Sequence, residues 1–205
     1  MSNIRRYFFT GDLHLSHKNV IKYCNRPFET AAEMNEKLID NWNSVVTKSD
    51  IIYVVGDVAF EKDQEKRDKM LGRLHGEKHL VWGNHDKGLK PTAWQKHFHS
   101  AADIRSITIP MQKEDRVVNQ HIVMCHYAMR VWDRAHYGTW HLFGHSHNTL
   151  PDDPNSLSLD VGVDAWNFTP VSLDQIAEAM SKKTFKPIDH HRGRNGGDDV
   201  FIVEG

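Results

Sequence analysis

Apolar runs that end at glycine or at a polar cluster recur along the chain and predict β-strands. The run IRRYFFTG at 4–11 is rich in aromatic and β-favouring residues. The run DIIYVVG at 50–56 is apolar throughout, as is typical of a strand covered on both faces. Further strands of this kind are predicted at 77–83, 120–126, 139–145 and 157–164.

Helical periodicity separates several of these runs. Thr30 and Glu33 have the spacing of a capping box, and apolar residues then recur at helical intervals from Met34 to Val45, which predicts an amphipathic helix over 30–47. Two further helices are predicted, at Lys62–Leu74 and Asp174–Met180. Strands that alternate with helices indicate an α/β domain whose site lies beyond the strand ends.

The length of 205 residues, with 39% hydrophobic and 26% charged residues, fits a single soluble domain, which we place at 1–185. The remaining segment, 186–205, is polar and glycine-rich and is expected to be a C-terminal tail, with VFIVEG as a candidate for a short terminal strand. His190 and His191 are adjacent in this tail, so on a strand they would point to opposite sides and make a poor metal site.

Charge and cysteine content narrow the compartment and the partners. The net charge of −1 provides no overall positive field for indiscriminate nucleic-acid binding, but it is compatible with a local basic groove. No apolar run approaches the roughly 20 residues that cross a bilayer. With no signal peptide at the N-terminus, we expect a cytoplasmic protein that does not contact membranes, in which Cys24 and Cys125 are free thiols.

Short polar blocks follow five of the predicted strands, at 10–14, 55–58, 82–86, 124–127 and 143–147. In the last block His145 and His147 are two residues apart, and a strand sends residues two apart to the same side, so their side chains converge if the extended geometry persists. Together the blocks offer seven oxygen and imidazole donors, namely Asp12, His14, Asp57, Asn84, His126, His145 and His147.

Oxygen and imidazole donors suit borderline divalent metals such as Mn, Fe, Ni, Co or Zn. Seven donors are too many for one tetrahedral ion and match two ions that share a carboxylate. Two divalent cations carry four positive charges, whereas Asp12, Asp57 and a bridging hydroxide supply three negative ones. The remaining positive charge favours an anionic substrate, and such a pair of ions suits phosphate ester hydrolysis.

The ordered blocks GD-x-H, GD, GNHD, H and GH-x-H, which span residues 11 to 147, resemble the calcineurin-like metallophosphoesterase superfamily. The resemblance implies an α/β fold of two packed β-sheets flanked by helices, a four-layer αββα sandwich. It implies two divalent ions, Mn foremost, and a metal-bridging hydroxide as nucleophile. It assigns Asp12, His14 and His147 to one ion, Asn84, His126 and His145 to the second, and Asp57 to both.

The resemblance also implies catalytic roles beside the second metal ligand, Asn84. His85 matches the histidine that protonates the leaving oxygen or steadies the transition state, and Asp86 is expected to orient it. Superfamily members that act on phosphoproteins extend the second block to GD-x-V-D-R-G. The block here reads GDVAFEKD at 56–63, and the absence of that arginine favours phosphodiesters, nucleotides or nucleic acid.

Four further residues are candidates for contacts with substrate. His17 could reach the substrate or cap the helix that it begins, and Arg26, in an RPF segment typical of compact bacterial and phage members, could clamp a phosphate or form a surface ion pair. Arg130 and Trp132 belong to a basic and aromatic stretch that would suit a nucleotide pocket, although Trp132 could equally pack inward.

The sequence therefore predicts a phosphoesterase that hydrolyses a phosphomonoester or phosphodiester. A metal-dependent nuclease on DNA or RNA is the nearer alternative, and a non-catalytic binding module on the same scaffold is the more distant one.

Overall fold

The computed structural model describes residues 5–86, 94–113 and 115–188. The strands in these ranges are β1 (Tyr7–Thr10), β2 (Ile51–Val55), β3 (Glu77–Val81), β4 (Ser100–Ala102), β5 (Ile104–Lys113), β6 (Arg116–Cys125), β7 (Trp140–Phe143), β8 (Ser158–Asp160) and β9 (Val171–Ser172). The helices are α1 (Lys18–Tyr23), α2 (Ala31–Val45), α3 (Gln64–Leu71) and α4 (Leu173–Ser181). The candidate terminal strand at 200–205, His190 and His191 lie outside the described residues.

The first sheet has the strand order β4-β3-β2-β1-β9. Strands β1 to β4 are parallel, and β9 pairs with β1 in the antiparallel sense. Because parallel strands run in the same direction, β1, β2 and β3 all end at the same edge of the sheet. The polar blocks that follow these strands are thereby brought side by side.

The second sheet has the strand order β5-β6-β7-β8. β5 and β6 form a long antiparallel hairpin, from the pair Ile104 and Cys125 to the pair Lys113 and Arg116. β6, β7 and β8 are parallel, so β6 and β7 also end at a common edge. Both sheets are therefore mixed, each with one antiparallel pairing.

Strand alternation divides the apolar side chains of the first sheet between two cores. Phe8 and Ile52 face the helices and pack in a cluster that includes Trp42 of α2, which is fully buried. Phe9 and Tyr53 face the second sheet and pack in a cluster with its inner face, a cluster that α4 joins. Two mixed β-sheets flanked by helices confirm the α/β architecture predicted from the sequence.

Local sequence signals account for the boundaries of α2 and α4. The Thr30 side chain accepts the backbone N–H of Glu33 at 3.1 Å, as predicted, but the Glu33 carboxylate accepts the N–H of Glu29 rather than that of Thr30. The expected capping box at Thr30 is therefore only half formed. α4 has a complete one, between Ser172 and Gln175.

Three strands, β4, β5 and β9, are absent from the sequence-based prediction, and the helix that His17 was expected to begin is α1. β5 contains Pro110, which breaks the usual strand signal, but β5 lies at the edge of its sheet, where a missing N–H costs no pairing. The run predicted as a strand over 157–164 is shorter, because β8 ends at Asp160 and residues Val163–Ala165 form a 3₁₀ turn.

Both cysteines, Cys24 and Cys125, are free thiols, as expected. Across the described ranges, no helix combines the length and the apolar content that a membrane crossing needs.

Candidate metal centre

One group of ligand atoms lies where β1 and β7 end. Asp12, His14 and His147 each offer an atom within 4.8 Å of the others, and the rings of His14 and His147 stack with centroids 5.0 Å apart. Asp12 Oδ1 and both ring nitrogens of His14 are buried and have no hydrogen-bond partner among the described residues. Buried polar atoms are nearly always paired, so an unpaired carboxylate oxygen beside an unpaired imidazole fits a site for a divalent cation.

A second group is centred on the carboxylate of Asp57, just after β2. Asp57 Oδ2 lies 3.5 Å from His14 Nε2 and 3.4 Å from His126 Nε2, so it stands between histidines of two different blocks. Asp12, Asp57 and His126 also offer ligand atoms within 4.8 Å of one another. The Asp57 carboxylate therefore lies between histidines of both groups, where one ligand could serve two ions.

Asn84 and His145 extend the second group. Asn84 Oδ1 lies 3.0 Å from His126 Nε2 and 3.2 Å from His145 Nδ1, and the backbone N–H of His145 donates to Asp12 Oδ2 at 2.8 Å. His126 donates from Nδ1 to the carbonyl of Val55 at 2.9 Å, which directs its Nε2 atom toward the cluster. All seven donors predicted from the sequence therefore lie in one connected cluster.

The backbone brings these side chains together by turns rather than by extended strands. His145 and His147 both have positive φ, 66° and 48°, and so do Asp12 and His14, at 54° and 51°. β7 ends at Phe143, so the extended geometry on which convergence of the two histidines at one point would depend does not persist. Left-handed residues send the two histidines to different parts of the cluster, His145 beside Asn84 and His147 beside His14.

Glycines in the blocks allow the backbones to approach the carboxylates. A Cβ atom on Gly83 would lie 2.2 Å from Asp57 Oδ1, and one on Gly144 would lie 2.6 Å from Asp12 Oδ2. Both contacts are far below van der Waals distance. The glycine that precedes the ligand residue is therefore a packing requirement of the site.

Burial sets the charge states of the cluster. Burial raises the pKa of Asp12 to about 7, against the opposing charges of His147 and His126. Burial lowers the pKa of His14 to about 2, so this imidazole is neutral and keeps a free lone pair for a metal. Burial would lower the pKa of His126, but its hydrogen bond to Asp57 and the charge of Asp12 raise it to about 9. A cation in the cluster would displace the protons that Asp12 and His126 hold.

Asp86 does not orient His85, contrary to the expectation from the sequence. Its carboxylate is buried and accepts three backbone N–H groups, from Asp57 at 2.9 Å, Val58 at 2.9 Å and Gly83 at 2.8 Å. Asp86 thereby fastens the block after β2 to the block after β3. It therefore positions the backbone of these two blocks.

His85 and His17 lie at the rim of the cluster. The exposed ring of His85 has its centroid 5.6 Å from that of His14, and its backbone N–H donates to Asp57 Oδ1 at 2.9 Å. His17 is the N-cap residue of α1, but its side chain makes no capping hydrogen bond and stacks on Phe60 at 3.8 Å between ring centroids. The capping interpretation of the His17 side chain is therefore wrong.

Arg26 is neither a substrate clamp nor a surface ion pair, because it is 4% exposed and its donors are used inside the protein. Its guanidinium forms a bidentate pair with Asp164, with both distances 2.8 Å. It also donates to the backbone carbonyls of Asp12, at 2.7 Å, and Leu13, at 3.0 Å. Arg26 therefore contacts the backbone of the turn that carries Asp12 and His14.

Asp164 is the functional residue that the sequence analysis missed. It lies in the 3₁₀ turn after β8 and accepts a hydrogen bond from His147 Nδ1 at 2.7 Å. The run at 157–164 ends at an Asp after an apolar stretch, as the ligand blocks do, and this signal could have drawn attention to it. A carboxylate behind a ligating histidine is a common second partner in metal sites.

Arg130 and Trp132 line a cavity of about 560 Å³ formed by the segment after β6 and the segments before β8 and after α4. Trp132 is half-buried, donates from Nε1 to the carbonyl of Thr139 at 2.9 Å and packs against His141, so the inward-packed alternative describes its ring. Arg130 is exposed. Among the residues that the structure describes, no hydrogen bond, ion pair or ring contact joins this pair to the metal-ligand cluster, and their role in substrate binding stays a prediction.

The uncharacterized protein MJ1445 of Methanocaldococcus jannaschii is 32% identical over 188 residues, which cover 88% of this chain and 94% of that protein. The chain belongs to the family of MJ1445. The chain is also similar to the Gene 66 protein of Mycobacterium phage L5, with 25% identity over 197 residues. This alignment covers 85% of the chain and 93% of the phage protein. No family model matches the chain.

Among solved structures, a protein of unknown function from Aquifex aeolicus, AQ665, superposes with a TM-score of 0.63. The superposition covers 85% of this chain and 99% of that one at 18% identity, which shows a shared fold. Nuclease MPE of Pseudomonas putida superposes with a TM-score of only 0.42, at 15% identity over 70% of this chain, a likeness too slight to bear on fold or activity.

Proposed function

We propose that the chain is a metal-dependent phosphoesterase of the calcineurin-like superfamily, which hydrolyses a phosphomonoester or phosphodiester. The proposal includes the four-layer αββα arrangement of that superfamily. It also includes two divalent ions, with Mn expected first and Fe, Ni, Co or Zn as alternatives. One ion would be held by Asp12, His14 and His147, the second by Asn84, His126 and His145, with Asp57 shared.

The observation that carries the proposal is the set of unpaired buried atoms in the cluster. Asp12 Oδ1 and the two ring nitrogens of His14 have given up water without gaining a hydrogen bond from any described residue. Leaving a buried polar atom unpaired costs roughly 1–3 kcal/mol, so the unpaired Asp12 oxygen beside the unpaired His14 imidazole supports a site for a bound cation. A carboxylate with neutral imidazoles is a donor set for borderline divalent metals.

The ions, when bound, supply Lewis acidity that lowers the pKa of water and neutralises charge on the phosphoryl oxygens. The chain's own residues do the rest. Asp57 joins the blocks after β1 and β6, and Asp86 holds the Asp57 backbone in place. His85, exposed at the rim near His14, would give a proton to the leaving oxygen. The stacked rings of His17 and Phe60 line the side of the cluster next to His85.

A nuclease acting on DNA or RNA is the second candidate, and exposed aromatic residues on two sides of the cluster favour it. Tyr127 is 48% exposed with its ring 4.7 Å from that of His145, and Tyr23 is 74% exposed with its ring 6.5 Å from that of His17. Exposed aromatic rings on both flanks of a phosphate site suit a phosphodiester with a base on each side. Lys18 and Lys22, both exposed on α1 beside Tyr23, add positive charge on that flank.

The test is hydrolysis of an aryl phosphodiester and an aryl phosphomonoester by protein loaded with Mn²⁺, and in parallel with Fe²⁺, Ni²⁺, Co²⁺ or Zn²⁺. We expect turnover that a chelator abolishes, that Asp57→Asn removes, and that His85→Ala lowers by about 100- to 10,000-fold. His121→Ala, which removes only a hydrogen bond to Thr108 at 2.8 Å in the β5–β6 hairpin, should leave it unchanged. Metal and nucleotide binding without turnover of any ester would instead identify a binding module.

A further inference from the structure

We infer that Arg26 and Asp164 are a positioning pair for the group Asp12, His14 and His147, setting the metal affinity of that group and not of the second one. The inference rests on the proposed function only in requiring that these three residues bind a divalent cation. It concerns two residues with buried side chains, Arg26 and Asp164, which contact a ligand histidine and the backbone of the ligand turn.

The first step is the donor inventory of Arg26. A guanidinium has five N–H donors. Nε donates to Asp164 Oδ1, and Nη2 donates to Asp164 Oδ2 and to the carbonyl of Asp12. Nη1 donates to the carbonyl of Leu13 and lies 3.4 Å from Met34 Sδ. All five donors are thus directed to acceptors of the protein. Because all of its donors have acceptors and it is buried, the Arg26 guanidinium is held in a single orientation.

The second step concerns the turn that contains the carbonyls of Asp12 and Leu13. Asp12 and Leu13 form the turn that carries Asp12 and His14, and both of these ligand residues have positive φ. L-residues rarely adopt this conformation without support from their surroundings. By holding the carbonyls of Asp12 and Leu13, Arg26 holds the turn in the shape that aims both side chains into the cluster.

The third step is the route from Arg26 to His147. Asp164 accepts from His147 Nδ1 at 2.7 Å, so the Nε2 atom is left to act as the ligand. Arg26 pairs with the same carboxylate and offsets its charge. One guanidinium therefore fixes all three members of the group, two through the backbone of the β1 turn and one through Asp164.

The pair also keeps Asp164 from acting as a ligand itself. Cys24, His147 and Asp164 offer atoms within 4.8 Å of one another, a set that would suit a thiophilic metal. In the structure, however, Asp164 Oδ1 is taken by Arg26, and Oδ2 is shared between Arg26 and His147. Loss of Arg26 is expected to open this alternative set to Zn²⁺.

A buried ion pair that serves only stability would have a different signature. It would lower the stability of the metal-free protein and would affect both metal groups alike. A positioning pair lowers the affinity of one group and leaves the other unchanged. The two roles are therefore separated by site-resolved metal binding and not by activity.

The experiment is Mn²⁺ titration of metal-free full-length protein, followed by calorimetry and by electron paramagnetic resonance, with Arg26→Lys and Asp164→Asn. Lysine keeps the charge but loses the planar fork, and asparagine keeps the shape but loses the charge. We expect two binding steps in the parent and, in both variants, one step weakened by about 10- to 100-fold with the other unchanged. His126→Ala should weaken the complementary step.

Arg73→Lys is the matched control, since Arg73 forms a bidentate pair with Glu36 that is exposed and remote from the cluster. It should leave both steps unchanged. Equal weakening of both steps, or no weakening, in Arg26→Lys and Asp164→Asn would overturn the inference, and if Arg26→Lys does not fold, Asp164→Asn decides alone. Two intact steps in a protein that cleaves no ester would refute the proposed function and leave this inference standing. A parent that binds no metal would refute both.

Discussion

The carboxylate of Asp86 accepts the backbone N–H of Asp57 at 2.9 Å, across 29 positions of sequence. This bond and the two others that Asp86 accepts hold the turn after β2 against the turn after β3. The metal-ligand cluster is thus supported by an acidic residue whose oxygens accept hydrogen bonds from the backbone.

Asp86→Ala is expected to destabilise the protein, because it leaves three buried N–H groups without an acceptor. At roughly 1–3 kcal/mol for each unsatisfied group, the loss is about 3 kcal/mol or more in the free energy of unfolding, measured by urea denaturation. Asp63→Ala provides the comparison, since Asp63 caps the exposed start of α3 and should cost only about 1 kcal/mol. Equal losses from the two changes would argue against the role assigned to Asp86.

Gly83→Ala is expected to damage the site by contact alone. The new Cβ would meet Asp57 Oδ1 at 2.2 Å and the Asp57 backbone nitrogen at 2.5 Å, and backbone atoms cannot move aside cheaply. We expect a loss of about 2–3 kcal/mol in stability together with weaker Mn²⁺ binding. Gly138→Ala meets no atom within 4 Å and should cost only the roughly 1–2 kcal/mol of a left-handed alanine, with Mn²⁺ binding unchanged.

His145→Ala and His147→Ala are expected to remove metal from different groups. His147 lies with Asp12 and His14, whereas His145 lies beside Asn84 and His126. Each variant should therefore bind about one Mn²⁺ fewer than the parent, and the spectrum of the remaining ion should differ between them. The same remaining spectrum in both variants would contradict this assignment.

The stability of the metal-free protein is expected to fall as the pH rises from neutral. The folded-state pKa of His126 is raised from 6.5 to about 9, so its contribution is fully present below pH 6.5 and is lost as the pH rises through about 9. The pKa of Asp12, raised to about 7 by burial, acts in the same direction up to that pH. Thermal unfolding between about pH 7 and pH 9, with chelator present, measures this effect.

Metal affinity should have the opposite pH dependence. Cations compete with the protons on Asp12 and His126, so Mn²⁺ binding should release protons and tighten as the pH rises toward 9. Calorimetry in buffers of different ionisation enthalpy counts the protons released. Binding that is independent of pH over this range would show that neither group is protonated in the metal-free protein.

Tyr23→Ala and Tyr127→Ala test whether the substrate carries bases on both sides of the phosphate. If it does, each change should raise the KM for a single-stranded oligonucleotide by roughly 10-fold, since stacking on one base contributes about 1–3 kcal/mol. Hydrolysis of a small aryl phosphomonoester should be little affected. Tyr137→Ala is the control, because Tyr137 is 72% exposed but pairs with His136 in the segment before β7. No change in the oligonucleotide KM would favour a small substrate.

Local sequence signals determined much of the scaffold. The periodicity from Met34 to Val45 predicted α2 because a helix buries one face at a fixed spacing, and the apolar runs at 4–11 and 50–56 predicted β1 and β2. The donors of the candidate site were also visible, since each ligand block follows a strand and is preceded by glycine in four of the five cases. These features depend on residues close together in the chain.

Tertiary structure decided how the donors are held. Arg26 and Asp164 are 138 positions apart in the chain. Neither segment alone shows that the buried guanidinium of Arg26 pairs with the carboxylate of Asp164. The turn that separates His145 from His147 likewise depends on the N–H of His145 finding Asp12 Oδ2 on another sheet. Periodicity reports which face of an element is buried, but which partner satisfies a buried polar atom depends on how distant elements pack.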